Sequence, residues 1–300
     1  MALTDIMLPS ETSGALPQVR KIAASDLRDA LRKGLDDFWA MPTHIIFLGL
    51  IYPIVGVLIW RAAFGYDLIP LLYPLAAGFA LLGPIAAIGL YELSRRREAG
   101  MDTSWKHGLD ILYSPSLPGI AAVGLLLLVL FAVWVAVAQG LYVAAFGYGE
   151  PASWSGFLHD MLGTSQGLWL VAAGNAVGFL FALLALMISV VSFPLLLDRH
   201  VGPITAILTS FRAVVANPVT MALWGLIVAV GLIVGFATFF LGLAIIVPVL
   251  GHATWHLYRK VIAPVNSPHA LYNPVRKGWR FGADFPANLF SSYRTDKPKE

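Results

Sequence analysis

The 300-residue chain contains no cysteine and few charges. The missing thiols exclude disulfides and thiolate-held metals, and they leave the redox compartment unreadable. Charged residues make up 12% of the chain against the roughly 25% of a soluble domain, whereas 58% are hydrophobic. The charges sit between long apolar runs, so a large soluble core does not explain the composition. Also missing are the GxxxxGK[ST] phosphate loop, the HExxH zinc motif and the GxSxG elbow. No paired carboxylates lie in the apolar part. The start, MALTDIMLPSETSGALPQVRK, has neither the basic opening nor the apolar stretch of a signal peptide. It is expected to stay in the cytoplasm and leave insertion to the first span.

What the chain has instead is apolar length. About 20 apolar residues cross a bilayer core, and six spans are predicted, at about 43–63, 68–92, 119–146, 168–197, 219–238 and 239–260. The last two are read as a hairpin. As one helix, Val219–Lys260 would reach roughly 60 Å, or two bilayer cores. Residues 1–22 are assigned to a flexible N-terminus, 23–262 to the membrane domain and 263–300 to a C-terminal tail. The tail mixes Pro, Gly and Asn with basic and aromatic residues, which suits contact with anionic headgroups or disorder equally.

Lys and Arg set orientation. Of 20, 19 fall in the N-terminal segment, 93–117, 198–217 and the C-terminal end; Arg61 stands alone, and 146–167 has none. This predicts both termini on the cytoplasmic side of a bacterial inner membrane. The pI of about 9.1 is then a sign of topology and implies no nucleic-acid partner.

Two stretches read alike. DDFWAMPTHIIFLGLIY is centred on Pro42 and FRAVVANPVTMALWGLI on Pro218; HGLDILYSPSLPGIAAVGLLLL, at Pro115, gives a third copy. Each places a short amphipathic segment before a proline and an apolar run after it. In the first, Leu27, Leu31, Leu35 and Phe38 share one face opposite Arg28, Asp29, Arg32, Lys33 and Asp36, with Ser25 as the expected N-cap. Such a helix is expected to lie in the headgroup layer until proline turns the chain into the bilayer. PIAAIGLYELSRR and PVLGHATWHLYRK also align without a gap. The predicted fold is an all-α integral membrane protein whose six helices form two or three parallel repeats of amphipathic helix plus two-span hairpin.

The blocks VRKIAASDLRDALRKGLDDFWAMP, PLAAGFALLGPIAAIGLYELSRR, VVSFPLLLDR and RAVVANPVTMALWGLI occur in that order. Together they resemble the domain-of-unknown-function 2189 family of predicted bacterial integral membrane proteins, over roughly 18–262. The resemblance implies membrane residence and supplies no catalytic residues. Some members carry labels mentioning cytochrome c oxidase.

Seven histidines are present, but only His252 and His256 fall within a predicted span. Their i, i+4 spacing shares a helix face, yet two neutral ligands are too few for a haem or metal centre, so no cofactor or metal is expected. Glu92 and Asp198 lie at span ends beside Arg95 and Arg199, where local pairing accounts for them. Asn175 is the polar side chain set deepest in a span, between Gly174 and Gly178; helix packing explains it best, and a substrate-lining role is the alternative. Gly231 and Gly235 repeat the small-residue spacing. Pro84, Pro194 and Pro248 sit late in the even spans and are expected to kink them. Candidate binding residues are therefore Asn175, His252, His256 and Glu92. The reading they favour is a non-enzymatic structural or accessory protein that contacts lipid and other membrane proteins, respiratory subunits among them. The alternative is a small-solute transporter or channel among the kinked even spans.

Overall fold

A computed structural model describes residues 16–41, 69–149, 151, 153–199, 201–238 and 240–264. Over these the fold is helical, and its one β-bridge joins Val19 to Ile262. Helix α1 is Ala24–Ala40 and α2 is Ile69–Ala86. After a one-residue break at Ala87 comes α3, Ile88–Glu98, and then a nine-residue 3-10 helix, Trp105–Tyr113. Helix α4, Leu117–Phe146, has 30 residues and so runs about 45 Å. A short α5, Trp154–Gly163, leads to α6, Ser165–Ser189, and α7, Ser192–Asp198. The chain ends in α8, Pro203–Ala216, α9, Pro218–Ala237, and α10, Leu243–Val261.

Helix starts follow from local chemistry. The side chains of Thr164 and Ser153 accept from the amides of Gly167 and Gly156, capping α6 and α5. Prolines stand in the first turns of α4, α8 and α9, where a missing N–H costs nothing. Helix α1 begins one residue before the expected cap Ser25. The Ala23 amide donates to the Asp26 carboxylate at 2.9 Å, so an acid in the first turn does the capping.

The six-span repeat is not what forms. Among the described residues three helices are long and apolar enough to cross a bilayer: Leu117–Phe146, Ser165–Asp198 and Pro218–Ala237. A fourth is reached if the bent pair Ile69–Gly78 and Ala80–Ala86 counts as one span. The predicted span 43–63, with Pro42, lies outside the described residues.

The other departures have physical causes. Span 68–92 stops at Ala86, because beyond Ala87 the chain carries Glu92 and three arginines that pair inside the protein. In span 239–260 only Leu243–Leu250 is continuously apolar, about 12 Å of helix. Beyond it His252, Thr254, His256, Arg259 and Lys260 follow in close order. The three segments before the prolines also differ. The first is a 17-residue α-helix, the second a nine-residue 3-10 helix and the third a 14-residue α-helix.

Helix α1 does not spend its apolar face on lipid. Leu27, Ala30, Gly34 and Phe38 are buried, and the helix packs along α10. Gly34 makes this approach possible, since a Cβ there would come 2.6 Å from the Ala253 nitrogen. Leu35 alone of the predicted apolar face is exposed, at 42%.

The long helices present an apolar outer surface, with Leu125, Val129, Phe179, Leu180, Leu226 and Ile233 all exposed. That is the surface a helix offers to hydrocarbon, where all of its backbone bonds are made internally. The most completely buried large side chains include Trp224, Trp255, Tyr91, Tyr258 and Phe193.

Candidate functional site

Where α1, α3, the 3-10 helix, α7 and α10 meet, the protein buries polar and charged groups. Asp37 comes from α1, at 3% exposure. It lies on the Ala30–Gly34–Met41 stripe, so helical spacing turns it inward with the small residues. Ser94 Oγ donates to its Oδ2 at 2.5 Å, His256 Nε2 lies 2.9 Å from the same oxygen, and Arg97 donates to Oδ1. Burial raises the Asp37 pKa, but the bonds from His256, Ser94 and Arg97 outweigh it and hold the carboxyl below its ordinary value.

His252, one turn before His256, is fully buried, and its Nδ1 is 2.8 Å from Ser94 Oγ. Ser94 has one proton and gives it to Asp37, so the hydrogen-bond count makes His252 Nδ1 the donor to Ser94. Its Nε2 has no hydrogen-bond partner. Burial pulls the His252 pKa down to about 4, against the raising effect of Asp37, which keeps the ring neutral.

This order is the reverse of what acyl transfer needs. A nucleophilic serine gives its proton to an imidazole that a carboxylate orients. Here the imidazole donates to the serine and the serine to the carboxylate, with Ser94 at 0% exposure. The cluster braces three helices: Asp37 from α1, Ser94 and Arg97 from α3, and the histidines from α10.

A second network adjoins it. Glu92 takes Arg95 and Arg96, both at 2.8 Å, and Arg96 also donates to Asp110 of the 3-10 helix at 2.9 Å. His107 has Asp110 on Nδ1 at 2.6 Å and Asp102 on Nε2 at 2.9 Å. Gly89 and Gly108 let the backbones of α3 and the 3-10 helix come together, a Cβ on Gly89 falling 3.2 Å from the Gly108 carbonyl. A third set ties α10 to α3 and α7. Trp255 Nε1 and Arg259 Nε each donate to Glu98 at 3.0 Å, and Tyr258 donates to Asp198 at 2.5 Å.

The residues before α1 close this end. Arg20 donates to the Lys260 and Arg259 carbonyls at 3.0 and 2.9 Å, placing a cation at the α10 C-terminus. Asn217, at 4% exposure, accepts from the Ile22 amide at 2.9 Å and donates to the Arg20 carbonyl at 3.0 Å. No sequence motif marks this strap, because its partners lie about 195 to 240 residues away.

Of the candidate residues, the structure brings His252, His256 and Glu92 into these adjoining networks and leaves Asn175 apart. Asn175 is exposed on α6; its Oδ1 accepts from Tyr73 of α2 at 2.7 Å and its Nδ2 donates to the Val171 carbonyl. Gly178 sits under Trp134, a Cβ there falling 3.1 Å from its ring, whereas a Cβ on Gly174 would meet open space. Gly231 faces Ile246 and Leu250, and Gly235 packs on Leu243.

Pro84 lies in the second arm of a 42° bend in α2, and Pro248 is inside α10. The break at Val190–Val191 comes before Pro194 of α7. Pro115 separates the 3-10 helix from α4, and Pro218 opens α9. Sequence reading missed Asp37, Ser94, Arg96 and Asp110. The one available signal was the helical spacing that sets Asp37 in line with Ala30 and Gly34.

Among the described residues no three His, Asp or Glu side chains are arranged to hold a metal. No curated protein and no solved structure matches the chain. Its long apolar helices, together with the family match, make it a multi-pass integral membrane protein. Residues 72–198, from α2 through α7, match the family described as predicted integral membrane protein (DUF2189), whose function is unknown.

Proposed function

We propose that the protein is a non-enzymatic structural or accessory component of the membrane, with its charged end toward the cytoplasm. One observation carries this reading. The buried charges Asp37, Glu92, Arg96 and Asp110 are all engaged with side chains of the same chain. None is turned to an outside ligand; they brace four helical elements, α1, α3, the 3-10 helix and α10, against one another. Respiratory subunits are the first partners to test, since labels in the resembling family mention an oxidase.

Isolation in gentle detergent should then bring down a defined membrane partner in fixed ratio. The rival is a small-solute transporter working through the bent α2 and Asn175. Asn175 supports it poorly, since both of its amide atoms are occupied within α2 and α6 and its face is exposed. A protein that purifies alone, moves solute in liposomes and loses that activity in Asn175→Leu would replace the accessory reading with this one.

A further inference from the structure

The 3-10 helix Trp105–Tyr113 is inside out. At three residues per turn, Lys106, Leu109 and Leu112 fall on one line and His107, Asp110 and Tyr113 on another. The second line is turned into the protein at His107 and Asp110, where Asp110 is 4% exposed, bonded to Arg96 and to His107, and comes out again at the terminal Tyr113. The first line is turned out. Leu109 is 55% exposed and Leu112 57%, flanked by Trp105 at 51% and Tyr113 at 63%. A segment in water does the opposite; here two leucines one turn apart stand open on one line, with an exposed aromatic residue at each end of the helix.

We infer that this helix is an in-plane anchor that lays Leu109 and Leu112 among the acyl chains of phospholipids in the leaflet on the charged side. Three residues separate it from α4, whose exposed Leu125, Leu128 and Val129 form a hydrocarbon-facing surface, so the helix stands where the chain enters lipid. The flanking side chains fit that depth. Trp105 and Tyr113 are aromatic residues of the interfacial kind, and exposed Lys106 reaches toward phosphate. Mooring comes from the other side: the Gly89–Gly108 contact and the Arg96–Asp110 pair fix the helix to α3, so the anchor is held by charge within the protein and by lipid outside it.

The absence of cysteine makes the test direct. Leu109→Cys and Leu112→Cys, each in the full-length chain, are spin-labelled and placed as single copies in nanodiscs of phosphatidylcholine and phosphatidylglycerol. Collision with oxygen, which concentrates in hydrocarbon, is compared with collision with a water-soluble nickel chelate. Leu128→Cys on α4 serves as the lipid reference and Asp36→Cys on α1 as the water reference. The anchor predicts an oxygen-to-nickel ratio several-fold above that of the Asp36→Cys label at both positions. Ratios equal to that water reference overturn it. So do labels immobile and shielded from both reagents, which would mean that protein, not lipid, covers the face.

Discussion

Gly34 of α1 lies against Ala253 of α10 with no room for a side chain: a Cβ on Gly34 would fall 2.6 Å from the Ala253 Cβ and from its nitrogen. The contact seats the helix that delivers Asp37. Gly34→Ala should therefore cost about 1–3 kcal/mol by overpacking. Gly174→Ala, where a Cβ meets open space, should be neutral or gain up to about 1 kcal/mol from helix propensity. Unfolding in mixed micelles measures both, and limited proteolysis within 24–40 should rise only in the first.

Removing Arg96 should be among the most damaging single changes. Glu92 and Asp110 are each 4% exposed in their side chains and share this guanidinium. Arg96→Met takes the guanidinium from both carboxylates and leaves Asp110 to His107, and breaking a buried pair in this way costs about 3–5 kcal/mol. Lys33→Met, at a 48% exposed side chain paired with Asp29, should change stability by no more than about 1 kcal/mol. The same unfolding assay compares them.

The Asp37 cluster gives stability a pH dependence. His252 is held neutral in the fold, its pKa brought from 6.5 down to about 4. The unfolded chain therefore binds the extra proton first, and stability present above pH 6.5 is lost progressively as pH falls toward 4. Asp37 acts in the same direction at lower pH. Its folded pKa lies below 3.8, so its contribution is present above that value and lost as pH falls through the lower one. His252→Gln should flatten the upper part of the curve, between pH 6.5 and about 4, and leave the acid limb in place. A curve unchanged in His252→Gln would mean that the imidazole is not buried neutral.

Tyr73 and Asn175 join α2 to α6 across 102 residues of sequence with one 2.7 Å bond. Interhelical bonds of this kind in membranes average about 0.6 kcal/mol. Tyr73→Phe and Asn175→Leu should each destabilise by roughly that amount, and the double variant by about as much as either alone. Full additivity in the cycle would show that the two side chains act independently.

These elements also show what the sequence could reveal. Helices α4, α6 and α9 were legible because lipid asks only for apolar length, and hydropathy measures that. Helix α10 was misread because an apolar average over 239–260 overlooked where His252, His256, Arg259 and Lys260 go, which is against α1, α3 and α7. The period of α1 correctly identified its apolar face but not the surface that covers it; Gly34 and Ala253 decide that through shape. Glu92 was readable as a local pair with Arg95, three residues away. The Asp37–Ser94–His252 chain was not, since it joins residues 57 and 158 positions apart and no local pattern encodes such a meeting.

Helix α4 carries the chain across the bilayer, leaving the braced polar end on one side and α5 on the other. Single-cysteine variants Asp102→Cys and Ser155→Cys in the otherwise cysteine-free chain test it by labelling sealed inner-membrane vesicles of both orientations with an impermeant maleimide. The account predicts opposite sidedness, with Asp102→Cys labelled from the cytoplasmic face and Ser155→Cys from the other. Labelling of both positions from the same face would contradict it.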